Sequence, residues 1–225
     1  WHHAQETESP TETIKSQVMH PIRETARYTA TQCKKINDSC YVYHFPKNIA
    51  GVTELNVKGK KGTILRLKHG ELLDKNGRVN MANIDYHYRP TDDSDPFQTD
   101  IVILSGKEDS FMPKFNYKGF QFVEISSSAP IELSGENLIA VEMHSDVPAT
   151  GYWSSSSDLL NKIWEATNSS YLANLFGYPT DCPQREKNGW TGDAHITIET
   201  GLYNFDGISV YEKWMNDFCD EQKDN

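Results

Sequence analysis

Apolar residues fall in short runs over the first two thirds of the chain and recur at helical spacing over the last third. From about Ser39 to Val147, apolar runs of about four to six residues alternate with glycine, proline and polar clusters, which is typical of β-strands. Antiparallel strands whose alternate side chains point into one shared core account best for this spacing, so we predict a β-sandwich. Examples of the runs predicted as strands are 40–43, 55–57, 64–67, 101–104, 120–125 and 138–143.

The periodicity becomes helical after the serines at 154–157. Apolar residues at intervals of three and four predict a first helix that ends at Gly177, because Pro179 cannot continue it. A second helix is predicted from about Asp193 to Tyr203, and a third begins near Asp206.

The change in periodicity divides the chain near residue 150 into a β domain over residues 1–150 and a helical segment over residues 151–225. The predicted fold class is therefore mainly β with a C-terminal helical segment. Three amphipathic helices cannot cover one another's apolar faces fully. We expect them to pack on the β domain or on sequence outside these 225 residues.

Composition argues against several kinds of partner. The 22 Lys and Arg residues against 32 Asp and Glu give a net charge of −10, so nucleic acid is not an expected partner. No apolar segment approaches the roughly 20 residues that a membrane-spanning helix requires, so membrane insertion is not expected. Cys33 and Cys40 could pair across a short loop, and two free thiols fit equally well. We assign no disulfide, metal or cofactor.

The stretch TDCPQREKNGWTGDAH at 180–195 is the strongest candidate for chemistry. It brings three carboxylates, Asp181, Glu186 and Asp193, close to Trp190, whose flanking glycines leave a large ring available to a ligand. Carboxylates beside an aromatic ring suit sugar binding, and glycoside hydrolysis needs a protonated carboxyl group to donate to the leaving oxygen. The pattern therefore indicates a sugar site in a loop.

An alternative interpretation gives the residues of the same loop only structural roles. Asp181 and Asp193 could cap free N–H groups of the helices, Arg185 and Lys187 could pair with acids, and Trp190 could fill a core.

DCPQRE at 181–186, followed by GWTGDA at 189–194, resembles the signature of the bacterial α-L-rhamnosidases, the inverting enzymes of glycoside hydrolase family 78. Looser similarity at 48–51 and 119–124, among other upstream segments, extends the resemblance over nearly the whole chain. It implies that the β-sandwich is followed, over 151–225, by the N-terminal part of an (α/α)6 six-hairpin barrel.

The resemblance also implies roles for the loop residues. Glu186 would be the general acid, which protonates the glycosidic oxygen as the bond to L-rhamnose breaks. Asp181 and Asp193 would hold sugar hydroxyls and tune Glu186, while Trp190 would form an apolar wall and Arg185 would orient the acids. Relatives often carry an acidic pair after the arginine, whereas this chain has the single Glu186.

An inverting glycosidase also needs a general base, with the two carboxyl groups roughly 6.5–9.5 Å apart. The resemblance places that base downstream of Asn225, so we expect these residues to carry the acid motif without the base and to be inactive as an isolated fragment. The expected partner is a glycan or glycoside that contains L-rhamnose. Enzymes of this kind are often exported, which favours a periplasmic or extracellular location, and the oligomeric state is left open.

Two alternatives remain open at this point. The protein could be a non-catalytic carbohydrate-binding protein that retains part of the sugar pocket, and a downstream carboxylate in the full gene would argue against that. It could also be a six-hairpin glycosidase for another sugar, which substrate profiling would distinguish.

Overall fold

A computed structural model of the protein describes residues 3–9, 11, 13–85 and 96–223. The described strands are β1 (Ile22–Thr29), β2 (Gln32–Asn37), β3 (Cys40–Lys58), β4 (Ile64–Gly70), β5 (Leu72–Leu73), β6 (Val79–Asn80), β7 (Thr99–Ile103), β8 (Glu108–Phe111), β9 (Lys118–Ser127) and β10 (Leu138–Ser145). The described helices are α1 (Ala82–Asp85), α2 (Asp158–Ala173), α3 (Thr191–Asn204) and α4 (Ile208–Asp220), with a 3-10 turn at Gly135–Asn137.

An antiparallel sheet forms the first part of the fold, in the order β1-β10-β3-β9-β4-β7, and β2 and β8 also pair with β3. The first half of β3 pairs with β2 and β9, and its second half pairs with β10 and β8. The register against β9 shifts between His44 and Ile49, and β9 pairs with β3 on both sides of the shift, whereas β2 pairs before it and β10 after it. This arrangement confirms the predicted antiparallel β-sandwich followed by helices.

The core of the sandwich consists of alternate side chains of these strands. Tyr43, Phe45, Leu55, Leu65 and Phe120 have no exposed surface and belong to a single apolar cluster. Full burial of a side chain of this size stabilises the fold by about 1.5–3 kcal/mol. The six apolar runs named above lie in β3, β4, β7, β9 and β10 to within one residue. These strands could be predicted because their buried side chains are apolar.

Five described strands match none of these runs: β5, β6 and β8 have only two to four residues each, and β1 and β2 are polar. β1 and β2 lie before the region predicted as β, and most of their residues are exposed or half-buried. β1 is an edge strand of the sheet, paired with β10. A polar edge strand owes its position to backbone hydrogen bonds, which leave no apolar pattern in the sequence.

The helices follow the prediction apart from one boundary. α3 and α4 begin within two residues of the predicted starts, whereas α2 ends at Ala173 and not at Gly177. The prediction of that C-terminus was wrong because the backbone of Leu175 hydrogen-bonds to the β domain. Its carbonyl accepts a hydrogen bond from the N–H of Ser145, 2.7 Å away, at the end of β10. The chain therefore leaves the helix early to join the sandwich.

The helices pack on the β domain through one cluster and on each other through a second. The first cluster joins Val147, Tyr171, Leu175, Phe205 and Val210, and the second joins Ala194, Tyr211 and Trp214. Apolar side chains on the outer faces remain exposed, namely Ile196, Leu202, Ile208, Met215 and Phe218. Among the described residues, no helix is long and apolar enough to span a membrane.

Gly201 allows the close approach of α2 to α3, and we predict that Gly201→Ala destabilises the protein. A Cβ at this position would lie 2.2 Å from the Tyr171 hydroxyl oxygen. Overpacking of this kind costs about 1–3 kcal/mol. The matched control is Gly192→Ala in the same helix, where a Cβ would meet nothing within 4 Å. Thermal unfolding of both variants measures the difference, and equal midpoints would show that Gly201 is not a packing constraint.

Candidate active site

The predicted site residues lie in and just after the loop that joins α2 to α3. The loop begins with a tight bend in which Leu175 bridges Pro179 and the Thr180 N–H donates to the carbonyl of Asn174 at 2.8 Å. Thr180 is buried, so the bend holds the start of the DCPQRE segment against the helix.

Asp181 closes this loop through its backbone and its carboxylate. Its N–H donates to the carbonyl of Asn188 at 3.0 Å, and the N–H of Asn188 donates to Asp181 Oδ1 at 2.9 Å. The Cys182 thiol lies 2.9 Å from Asp181 Oδ2 and donates to it. Both carboxylate oxygens are therefore fixed in direction by the loop itself.

Cys182 connects Asp181 to Glu186. Its sulfur is buried and also accepts the backbone N–H of Glu186, 3.4 Å away. One ligand atom each from Asp181, Cys182 and Glu186 lie within 4.8 Å of one another, a spacing that a cation could bridge. Two of its three members, Asp181 and Cys182, already hydrogen-bond to each other, and we assign no metal to this group.

Trp190 holds the side chain of Glu186. The indole Nε1–H donates to Glu186 Oε2 at 2.9 Å in an exposed hydrogen bond, and Glu186 as a residue is half-buried. Trp190 is 53 % exposed, so it does not fill a core, as the structural interpretation supposed. It precedes α3, and Asp193 lies exposed in the first turn of that helix without capping it, since the N-cap residue is Trp190.

Within residues 3–9, 11, 13–85 and 96–223, neither Arg185 nor Lys187 forms the expected ion pair with an acid. The Nε of Arg185 is buried and has no hydrogen-bond partner among the described residues. The Lys187 ammonium turns away from the acids and donates to the backbone carbonyl of Tyr117 in the sandwich, 2.5 Å away. The orienting role of Arg185 stays a prediction.

Two clefts open beside the loop. The first has a volume of about 560 Å³, lies between α2 and α3, and is lined by Asp181, Asp193 and Thr197 among others. The second, of about 600 Å³, lies between the sandwich and α2, and Asp181 also borders it. Glu186 and Trp190 are not among the residues that line either cleft.

The sequence reasoning missed the residues that shape the loop. Cys182 and Asn188 supply the contacts that orient Asp181, and Tyr117 receives Lys187 from a distant part of the chain. Cys182 stands between an aspartate and a proline, and that position carried no sign that its thiol would be buried against a carboxylate.

Two family models match the chain: the bacterial alpha-L-rhamnosidase concanavalin-like domain over residues 34–144 and the bacterial alpha-L-rhamnosidase 6 hairpin glycosidase domain over residues 148–225. The chain is 33% identical over 230 residues to an alpha-L-rhamnosidase of Formosa agariphila, covering 96% of this chain and 22% of the relative.

Solved structures are similar over the same extent. The alpha-L-rhamnosidase from Dictyoglumus thermophilum superposes with a TM-score of 0.83 at 33% identity, covering 93% of this chain and 23% of that one. The Streptomyces avermitilis alpha-L-rhamnosidase, complexed with L-rhamnose, gives a TM-score of 0.82 at 29% identity, covering 93% of this chain and 20% of that one. The chain thus spans about a fifth of the length of these proteins.

We predict that Cys182→Ala loosens the loop, whereas Cys182→Ser largely preserves it, because a hydroxyl can replace both thiol hydrogen bonds. Loss of a typical hydrogen bond is worth about 1 kcal/mol, so the Glu186 amide of Cys182→Ala should exchange its hydrogen about fivefold faster. Hydrogen exchange resolved to single amides makes the measurement, with Thr197 in α3 as an internal reference. Unchanged exchange at Glu186 in the alanine variant would contradict the role given to the thiol.

Proposed function

Because this chain belongs to the bacterial α-L-rhamnosidase family, we propose that the protein that carries it hydrolyses terminal α-L-rhamnosyl residues of glycosides or polysaccharides with inversion of configuration. The observation that supports this most is the position of Glu186 in the signature loop, where its carboxyl group accepts a hydrogen bond from the Trp190 indole. The L-rhamnose in the Streptomyces avermitilis structure supports the choice of sugar.

Glu186 is the general acid in this proposal. Its Oε2 accepts the indole N–H of Trp190, and a carbonyl oxygen is the better acceptor, so this hydrogen bond favours the transferable proton on Oε1. In this proposal Oε1 is the oxygen that donates to the glycosidic bond. Proton donation from a carboxyl group held in this way assists departure of the leaving group.

Asp181 and Asp193 bind the sugar hydroxyls. Asp193 presents an exposed carboxylate at the start of α3, where the helix dipole favours negative charge. Each carboxylate oxygen has two acceptor positions, so Asp181 accepts a hydroxyl in addition to its loop hydrogen bonds. The exposed ring of Trp190 offers an apolar surface to the sugar.

Asp181 is not a suitable second catalytic carboxylate. An inverting enzyme needs its carboxyl groups roughly 6.5–9.5 Å apart so that a water molecule fits between substrate and base. Oxygens of Asp181 and Glu186 approach within 4.8 Å, and both Asp181 oxygens already accept loop hydrogen bonds, which also weakens it as a nucleophile. The proposal therefore takes the general base from outside the described residues.

Glu186→Gln in the intact protein that carries these 225 residues tests the general-acid role. A sugar alkoxide is a poor leaving group and needs a proton, whereas a phenolate needs it far less. We expect kcat on a sugar-linked α-L-rhamnoside to fall by a factor on the order of 10² or more, and kcat on an aryl α-L-rhamnoside to fall much less.

Glu199→Gln, which alters an exposed acid of α3, is the control and should leave both rates unchanged. Survival of both activities in Glu186→Gln would exclude Glu186 as the acid. Absence of hydrolysis of any α-L-rhamnoside by the unaltered protein, combined with sugar binding, would favour a non-catalytic carbohydrate-binding protein.

Asp193→Asn tests the sugar-binding role of that carboxylate. Loss of a charged acceptor for a hydroxyl weakens binding by about 1.5–3 kcal/mol, so kcat/KM should fall roughly 10- to 150-fold on both kinds of substrate. Inhibition by free L-rhamnose should weaken in parallel, because the lost contact is to the sugar itself. An effect confined to the sugar-linked substrate would assign Asp193 to leaving-group departure and not to sugar binding.

A further inference from the structure

The loop that carries Glu186 is pressed against the β-sandwich immediately beside that residue. On the sandwich side the contact is formed by residues 97–98 and 117–119, and on the loop side by residues 183–187. We refer to this contact as the interdomain junction. It has three features that ordinary packing between two domains does not require.

The first feature is the environment of Lys187. Its Nζ donates to the Tyr117 carbonyl at 2.5 Å and lies 4.5 Å from the Tyr117 ring centroid and 5.6 Å from that of Phe97. Burial, with repulsion from Lys118, lowers the pKa of Lys187 to about 8. The ammonium group therefore gives up hydration in exchange for a carbonyl and two aromatic faces, which a solubilising surface lysine does not do.

The second feature is backbone strain. Lys187 and Gln98 have φ angles of 55° and 54°, and they are the non-glycine residues of the described chain with positive φ. Both belong to the interdomain junction, where the Gln98 amide also donates to the carbonyl of Gly119 at 2.8 Å. Left-handed backbone at such residues persists only where the surroundings enforce it, and it concentrates at functional sites.

The third feature is the closeness of the two backbones. A Cβ on Gly119 would lie 2.9 Å from Pro183 Cγ and 2.9 Å from Gln184 Cβ, so β9 touches the signature segment directly. The Tyr117 ring also stacks on Phe176 at a centroid distance of 3.7 Å, with the planes 5° apart. The sandwich thus contacts the loop near its start, in the middle of the signature and next to Glu186.

We propose that Lys187 is a positioning residue for Glu186: by anchoring the loop to Tyr117 of the β-sandwich, it sets the place and direction from which Glu186 donates its proton. The ammonium group points at the sandwich, so its effect is exerted through the position of the backbone. The β-sandwich is then part of the catalytic apparatus. This inference rests on the proposed role of Glu186.

Lys187→Met in the intact protein tests the proposal, because methionine keeps the length of the side chain and removes the cation and the donor. A small displacement of a catalytic group costs up to about 100-fold in rate, so kcat on a sugar-linked α-L-rhamnoside should fall roughly 10- to 100-fold. On an aryl α-L-rhamnoside kcat should fall by less than about threefold, with KM nearly unchanged for both substrates.

Two further variants and one control accompany it. Lys187→Arg keeps the cation and donors and should restore part of the lost rate, and Gly119→Ala, which displaces the loop from the sandwich side, should reproduce the selective loss. Lys58→Met removes an exposed lysine at the end of β3 and should change neither rate. If Lys187→Met does not fold, Lys187→Arg and Gly119→Ala decide the question.

Glu186→Gln, measured in the same assays, separates the two claims. If it shows the selective loss while Lys187→Met lowers both rates equally, or neither, the positioning role is wrong and the proposed function stands. If Glu186→Gln itself shows no selectivity for the leaving group, the proposed function fails and the positioning of Glu186 fails with it.

Discussion

The shape of the site depends on the hydrogen bonds of one carboxylate. Asp181 accepts the Asn188 N–H on one oxygen and the Cys182 thiol on the other, and the same sulfur accepts the N–H of Glu186. These contacts turn a segment with no regular structure into a fixed loop. These contacts are short-range and lie within the loop, and the Glu186 carboxyl group also accepts the indole N–H of Trp190.

The β-sandwich also supports this loop, through contacts of Tyr117 and Gly119 with residues 183–187. Its strand β9 runs so close to Pro183 and Gln184 that only a glycine fits at 119, and the neighbouring Tyr117 receives the Lys187 side chain. The two structural parts are therefore joined at the residues that flank the acid.

Much of the fold could be predicted because its signals are apolar. Buried strands such as the one at 120–125 and the helical repeat after residue 157 follow the hydrophobic pattern, whereas β1 is held by backbone hydrogen bonds and escaped notice. The positions of the site residues rested on resemblance to a family, not on periodicity. Cys182 and Lys187 could not be anticipated, since their roles depend on contacts with a carboxylate and with a carbonyl seventy residues away.

The central claim is that Glu186 supplies the proton to the leaving group. The most direct measurement is the slope of log kcat/KM against leaving-group pKa over a series of aryl α-L-rhamnosides, compared between the intact protein and its Glu186→Gln variant. Proton donation neutralises the departing oxygen, so the slope should be shallow with Glu186 present and steep without it. Equal slopes in the two proteins would contradict the account.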